Sequence, residues 1–162
     1  MAHKLVLAAV AVLMLWCGTA EAAPLPKLPT GYAAPVNLAI RPSRILITGD
    51  GSGLLGGFTG HPTATKRNQR WGRLHWTKWL PGRAYATGAE WIDDGIPDVA
   101  TGTFHPYTAA VLAFRPRAGV FTRLRVVYIV PGSGPGTGAQ TETFKAEHVP
   151  ASQYGPAYWD WR

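Results

Sequence analysis

Alternation with a period of two residues is the dominant pattern along this chain. It is clearest from Phe121 to Val130, where Leu124, Val126 and Tyr128 point one way and Arg123 and Arg125 the other. Arg73 to Trp79 alternates too: Leu74 and Trp76 fall on one face, and Arg73, His75 and Thr77 on the other. A Pro81-Gly82 turn follows. Ala84 to Ile92 then returns with Tyr85, Thr87, Ala89 and Trp91 on one face and Gly88 and Glu90 opposite. Phe104 to Phe114 reads as a long strand interrupted early by Pro106; Arg44 to Thr48 and Thr141 to Lys145 read as short ones. The segments between them are rich in turn formers. Gly49 to Gly60 holds six glycines in twelve residues, Asp93 to Gly102 is an acidic loop, and Pro131 to Ala139 is a Gly/Pro-rich flexible loop. No helical period of 3.6 runs through any segment after Ala23. Short strands, frequent turns and no helices predict an all-β fold, an antiparallel β-sandwich or small barrel.

The first 22 residues obey a different rule. A positive start, Met1 to Lys4, precedes an unbroken apolar run from Leu5 to Trp16 and an Ala20-Glu21-Ala22 end. That order is expected of a cleaved secretory signal peptide. The apolar run is 12 residues, against about 20 for a membrane span, so a retained anchor is the lesser reading. Cys17 is a poor lipidation site because Trp16 stands where a lipobox has a small residue. Cleavage after Ala22 leaves 140 of the 162 residues. We expect an extended Pro-rich arm over 23–43 and one β domain over 44–162. The aromatic tail, Tyr154 to Arg162, is expected to close the barrel or cover a sheet edge. With Cys17 as the only cysteine, the exported domain holds together by packing alone.

Charge narrows the choice of partner. The formal net charge is +7, and the signal carries one Lys and one Glu, so the excess stays in the mature domain. A basic exported protein meets anionic cell-wall polymers or lipid headgroups; a solubilising surface charge is the plain alternative. Lys66, Arg67, Arg70, Arg73, Lys78 and Arg83 occur without an acidic residue between Asp50 and Glu90, and Trp71, Trp76 and Trp79 interleave with them. Guanidinium groups pair with phosphates, and aromatic faces stack on sugars or bases. Export favours a phosphate-bearing or uronic polymer over nucleic acid. The expected contact face is Arg70, Trp71, Arg73 and Lys78. Trp76 falls on the apolar face and belongs to the core.

The second constellation is acidic. Glu90, Asp93, Asp94 and Asp98 lie within nine residues, around Gly95 and Pro97. Asp93, Asp94 and Asp98 supply oxygen ligands of the kind calcium takes, although the spacing is not that of an EF-hand. The alternative is a loop whose aspartates make Asx turns. Two of these carboxylates would equally suit a glycosidase, which needs a pair across the scissile bond. No other chemistry has a motif. The histidines lack metal-ligand spacing, Gly51-Ser52-Gly53 lacks the context of a nucleophile elbow, and the glycine-rich loop lacks the Lys-Ser/Thr end of a P-loop.

Several short motifs occur together. They are Thr48-Gly49-Asp50-Gly51-Ser52-Gly53, Leu74-x-Trp76-Thr77-x-Trp79, Ala86-Thr87-Gly88, Ile96 to Gly102, His105-Pro106-Tyr107 and Phe121-Thr122-Arg123-Leu124. In combination, over about Ile45 to Tyr128, the chain resembles a group of small exported all-β actinobacterial proteins with no established activity. The resemblance implies an all-β fold and carries over no catalytic residue. Such proteins often have two cysteines, four apart, in the acidic loop; here those positions are Gly95 and Val99. Without that clamp, Gly95, Pro97 or a bound ion must order the loop. The expected function is a non-enzymatic binding or interaction domain of the cell envelope. The alternatives are a small secreted hydrolase using Asp94 and Asp98, or a phage-encoded envelope protein acting in superinfection exclusion.

Overall fold

A computed structural model describes residues 23–31, 38–57, 72–96, 98, 102–153 and 156–162. Residues 1–22, expected to be a signal peptide, lie outside them, as do Arg70 and Trp71. The described chain is all β. In order its strands are β1 (Leu28–Pro29), β2 (Leu38–Ala39), β3 (Ile45–Leu46), β4 (Gly53–Leu55), β5 (His75–Trp79), β6 (Arg83–Asp93), β7 (Phe104–Arg117), β8 (Val120–Val130), β9 (Gly138–Val149) and β10 (Tyr158–Trp161). Strands β1 and β2 pair with each other. The rest form one antiparallel sheet in the order β10-β9-β8-β7-β6-β4-β3, with β5 also paired to β6. That sheet curls into a nearly closed barrel. No helix among the described residues is long and apolar enough to cross a membrane.

Strands β6 to β9 are the long ones, and alternation is clearest on β8 and β9. On β8, Leu124, Val126 and Tyr128 are buried while Arg125, Val127 and Ile129 are exposed. The tight β7–β8 connection runs through Ala118 (φ 47°) and Gly119 (φ 74°), the two positive φ values that a type I′ hairpin turn requires. Pro106 is tolerated inside β7 because β8 pairs only from Ala109 onward, so Pro106 has a strand on one side alone. Strand β9 runs beyond the expected Thr141–Lys145 at both ends. Pairing with β8, down to Val130 opposite Gly138, draws part of the Gly/Pro segment into the ladder. The expected Arg44–Thr48 strand shrinks to Ile45–Leu46, and the glycine-rich segment contributes β4, whose Leu54 and Leu55 are buried.

Strand β6 shares one of its edges between two partners. Strand β5 pairs over Ala84–Thr87 and β4 over Glu90–Ile92. The exchange occurs at Ala89, whose N–H donates to the Gly72 carbonyl and whose carbonyl accepts from the Gly56 N–H, both at 2.8 Å. Gly72 (φ 75°) sits so close that a Cβ there would overlap the Ala89 methyl. A bulge at Thr77, between Trp76 and Lys78, shifts the β5 register by one residue. Uninterrupted alternation from Leu74 would have turned Lys78 inward. The bulge turns Lys78 out and Trp79 in, where Trp79 is buried edge-on against Phe121 with ring centroids 5.6 Å apart.

The core is formed by Leu28, Ile45, Leu55, Phe121, Leu124, Val126, Trp161 and their neighbours. Residues 27–30, in the segment expected to be an arm, are built into the domain. Leu28 is fully buried, Lys27 bridges in parallel to Val120, and Thr30 accepts from the Leu46 N–H. The tail pairs β10 with β9 and buries Trp161. Leu28→Ala removes a side chain from the centre of this packing. It should cost about 3 kcal/mol of unfolding free energy, measured by urea denaturation of a chain starting at residue 23.

Candidate functional site

The acidic loop is a hydrogen-bonded turn. Asp94 accepts from the N–H groups of Ile96 (3.1 Å) and Thr103 (2.9 Å) through Oδ1, and its Oδ2 meets His105 Nε2 at 3.2 Å. These partners, Thr103 first, hold the carboxyl below its ordinary value. Asp93 is buried at the end of β6, where its Oδ1 accepts from the Gly95 N–H at 2.8 Å. Gly102 lies against that carboxylate so closely that a Cβ would overlap it. Asp98 is exposed farther along the loop. Among the described residues no group of three His, Cys, Asp or Glu side chains is placed to hold a metal ion. The Asp93–Gly95 and Asp94–Ile96 contacts are Asx-type hydrogen bonds. A carboxylate with three partners, held in its charged form, is also poorly suited to general-acid catalysis.

The fourth member, Glu90, departs from the picture of one acidic loop. It lies in mid-β6, opposite Tyr107, and faces the barrel interior at 1 % exposure. Its Oε2 has no hydrogen-bond partner among the described residues. Burial, reinforced by the charge of Glu142, pushes the carboxyl from 4.5 up to about 8. Nearby, Tyr128 donates its hydroxyl proton to Glu142 Oε1 at 2.8 Å, and burial and that bond hold its pKa above the ordinary value. The folded state therefore keeps the Glu90 proton across a range where the unfolded chain has released it. Stability from this group is greatest below pH 4.5 and declines as the pH rises toward 8. Glu90→Gln abolishes the decline. In paired thermal and urea melts, the variant should gain on the parent by about 4 kcal/mol between these pH limits, and parallel curves would refute the assignment.

The basic residues assemble by register. Arg73 and Lys78 are both exposed, and Lys78 lies on the outer face of the sheet. The cross-strand partners place Lys78, Tyr85, Leu112, Arg125 and Thr143 in one row across β5 to β9. The neighbouring outward row runs Arg83, Phe114, Arg123 and Lys145, and continues to Arg162, which exchanges backbone hydrogen bonds with Lys145. Rows two residues apart are separated by about 7 Å, and five strands span about 20 Å. Aromatic rings sit between the charges: the Arg83 guanidinium lies 5.8 Å from the Tyr85 ring centre and that of Arg125 lies 5.7 Å from Phe114.

Among the described residues, acidic groups touch this band only at its β9–β10 end. Glu147 accepts from Lys145 at 2.6 Å and Arg162 at 3.1 Å, and Asp160 lies 3.9 Å from Arg162. Among the described residues no carboxylate is within ion-pair distance of Lys78, Arg83, Arg115, Arg117, Arg123 or Arg125. Of the expected contact face, Lys78 enters this band and Arg73 precedes β5. Alternation marked Arg123 and Arg125 as outward, but only the register brings them beside Lys78 and Arg83. Arg115 and Arg117 carried no sequence signal because they lie where the β7 alternation breaks, at a positive φ of 52° on Arg115.

Fold and surface together define a small all-β domain whose outer face carries a band of cations interleaved with aromatic rings. No known family, curated protein or solved structure gives a match to this chain.

Proposed function

We propose that the protein is an exported, non-enzymatic binding domain of the cell envelope, and that the outer face of its sheet holds an anionic polymer. The observation that carries this reading is the pair of cross-strand rows from Lys78 to Arg125 and from Arg83 to Arg123. Cations without carboxylate partners, spaced at strand intervals and interleaved with Tyr85 and Phe114, suit an extended chain of phosphates or uronates. The N-terminal charge and apolar pattern supports export, which favours a wall polymer over nucleic acid.

The test is retention of the purified mature domain on a phosphate-bearing wall polymer at low and high salt. We expect binding at low salt that is lost as salt rises. Replacing Lys78, Arg83 and Arg125 together by Ala should weaken it about tenfold or more, from the summed loss of exposed charge contacts. Equal retention of parent and triple variant would rule out this face.

A further inference from the structure

At the closed end of the β7–β8 hairpin, where β9 pairs alongside β8, a cavity of about 180 Å³ is lined by Arg115, Arg117, Thr122, Arg123, Lys145 and Ala146. We propose that it binds a single phosphate monoester group. The inference deepens the polymer-binding reading and rests on it only for the source of the phosphate.

The lining has a chemical logic. Four of its six residues are cationic and none is acidic. Four like charges around one small space repel one another, and a dianion placed among them removes that repulsion. The floor is buried Ala146 with half-buried Thr122 and Arg123, and exposed Arg115, Arg117 and Lys145 form the rim. The polar groups are held in place. The Thr122 hydroxyl donates to the Arg115 carbonyl at 2.7 Å, fixing the backbone at the break in alternation. One Arg123 N–H donates to the Thr122 carbonyl at 3.3 Å, which orients the guanidinium and leaves its other donors for a ligand. Lys145 is shared, because Glu147 already accepts from it at 2.6 Å. The phosphate therefore competes with Glu147 for Lys145 and has Arg115, Arg117 and Arg123 without such competition.

The backbone of Arg115 supplies the second observation. It holds φ at 52°, a left-handed conformation that costs most side chains energy and glycine none. An arginine kept at such a position on the rim of a cationic cavity points to a ligand. The same geometry provides a clean variant. Arg115→Gly removes the guanidinium and relieves the backbone, so the fold should survive it.

The experiment is calorimetric titration of the mature domain with methyl phosphate and with dimethyl phosphate, at constant ionic strength. We expect saturable one-to-one binding of methyl phosphate with a Kd below about 1 mM, and weaker binding of the singly charged diester. Arg115→Gly, with Arg117→Gln as a second variant, should each weaken methyl phosphate binding about tenfold while circular dichroism and melting are maintained. The Lys78, Arg83 and Arg125 triple variant should bind methyl phosphate as the parent does. No saturation, equal affinity for the diester, or unchanged binding in both pocket variants would overturn the proposal. Polymer retention measured on the same proteins separates the two readings: a pocket that fails while retention persists leaves the outer face intact.

Discussion

The barrel depends on three tryptophan indoles that hold proline carbonyls. Trp79 donates its Nε1–H to Pro26 at 2.9 Å, Trp161 donates to Pro29 at 3.2 Å, and Trp76 donates to Pro42 at 2.7 Å. A proline brings no N–H to a ladder but keeps its carbonyl. Residues 26–30 can therefore lie along the open seam of the sheet and satisfy buried indoles from two strands, Trp79 on β5 and Trp161 on β10. The same segment exchanges backbone hydrogen bonds with Gly119 and Phe121 at the start of β8 and with Leu46 on β3. Leu28 fills the space beneath. The seam between the β3 side and the β8–β10 side is closed by these contacts, in a domain with no disulfide to close it otherwise.

Closure requires strong curvature, and its cost falls on one strand. β6 keeps β7 along its whole length on one edge while β4 and β5 divide the other. The backbones that meet beside Ala89 leave no room for a side chain at Gly72 or Gly88. The division also covers the second face of β6, where Ala89 and Trp91 are buried with Leu54 in a separate apolar cluster. β6 is thus buried on both faces at this end, and Glu90 has no route to solvent. Its neutral carboxyl is a consequence of where the sheet bends.

Much of the fold was legible in the chain, because period-two alternation reports faces directly. β8 needed nothing more than Leu124, Val126 and Tyr128 against Arg123 and Arg125. Two kinds of feature were not legible. The first depends on a single inserted residue: the Thr77 bulge reverses the facing of Lys78 and Trp79 while leaving the composition unchanged. The second depends on which strands are neighbours. Glu90 belongs with Asp93 and Asp94 by proximity in sequence, yet pairing puts it in the barrel beside Tyr128 and Glu142. Lys78, Arg83, Arg125 and Lys145 are scattered over many residues and become two rows only through the register. The contact face inferred from local clustering, Arg70 to Lys78, could capture one strand of a surface that crosses five.

The two charged regions of this sheet are related through its pleat. Along β8 the residues that face outward, Arg123 and Arg125, alternate with the apolar residues that face the core. Neighbouring strands place further cations outward and carboxyls inward: Lys145 lies outside on β9, and Glu142 lies inside three residues earlier. Among the described residues neither Glu90 nor Glu142 forms an ion pair with a cation of the outer face. The outer cations repel one another, and from Lys78 to Arg123 none of them has a direct carboxylate partner. Glu147 relieves this only at the β9–β10 edge. From Lys78 across to Arg123 the counter-charge has to come from outside the chain, as small ions or as a bound polyanion. A polyanion in place of small ions would release them to solution, so the imbalance that raises the energy of the isolated domain is what would drive the proposed binding.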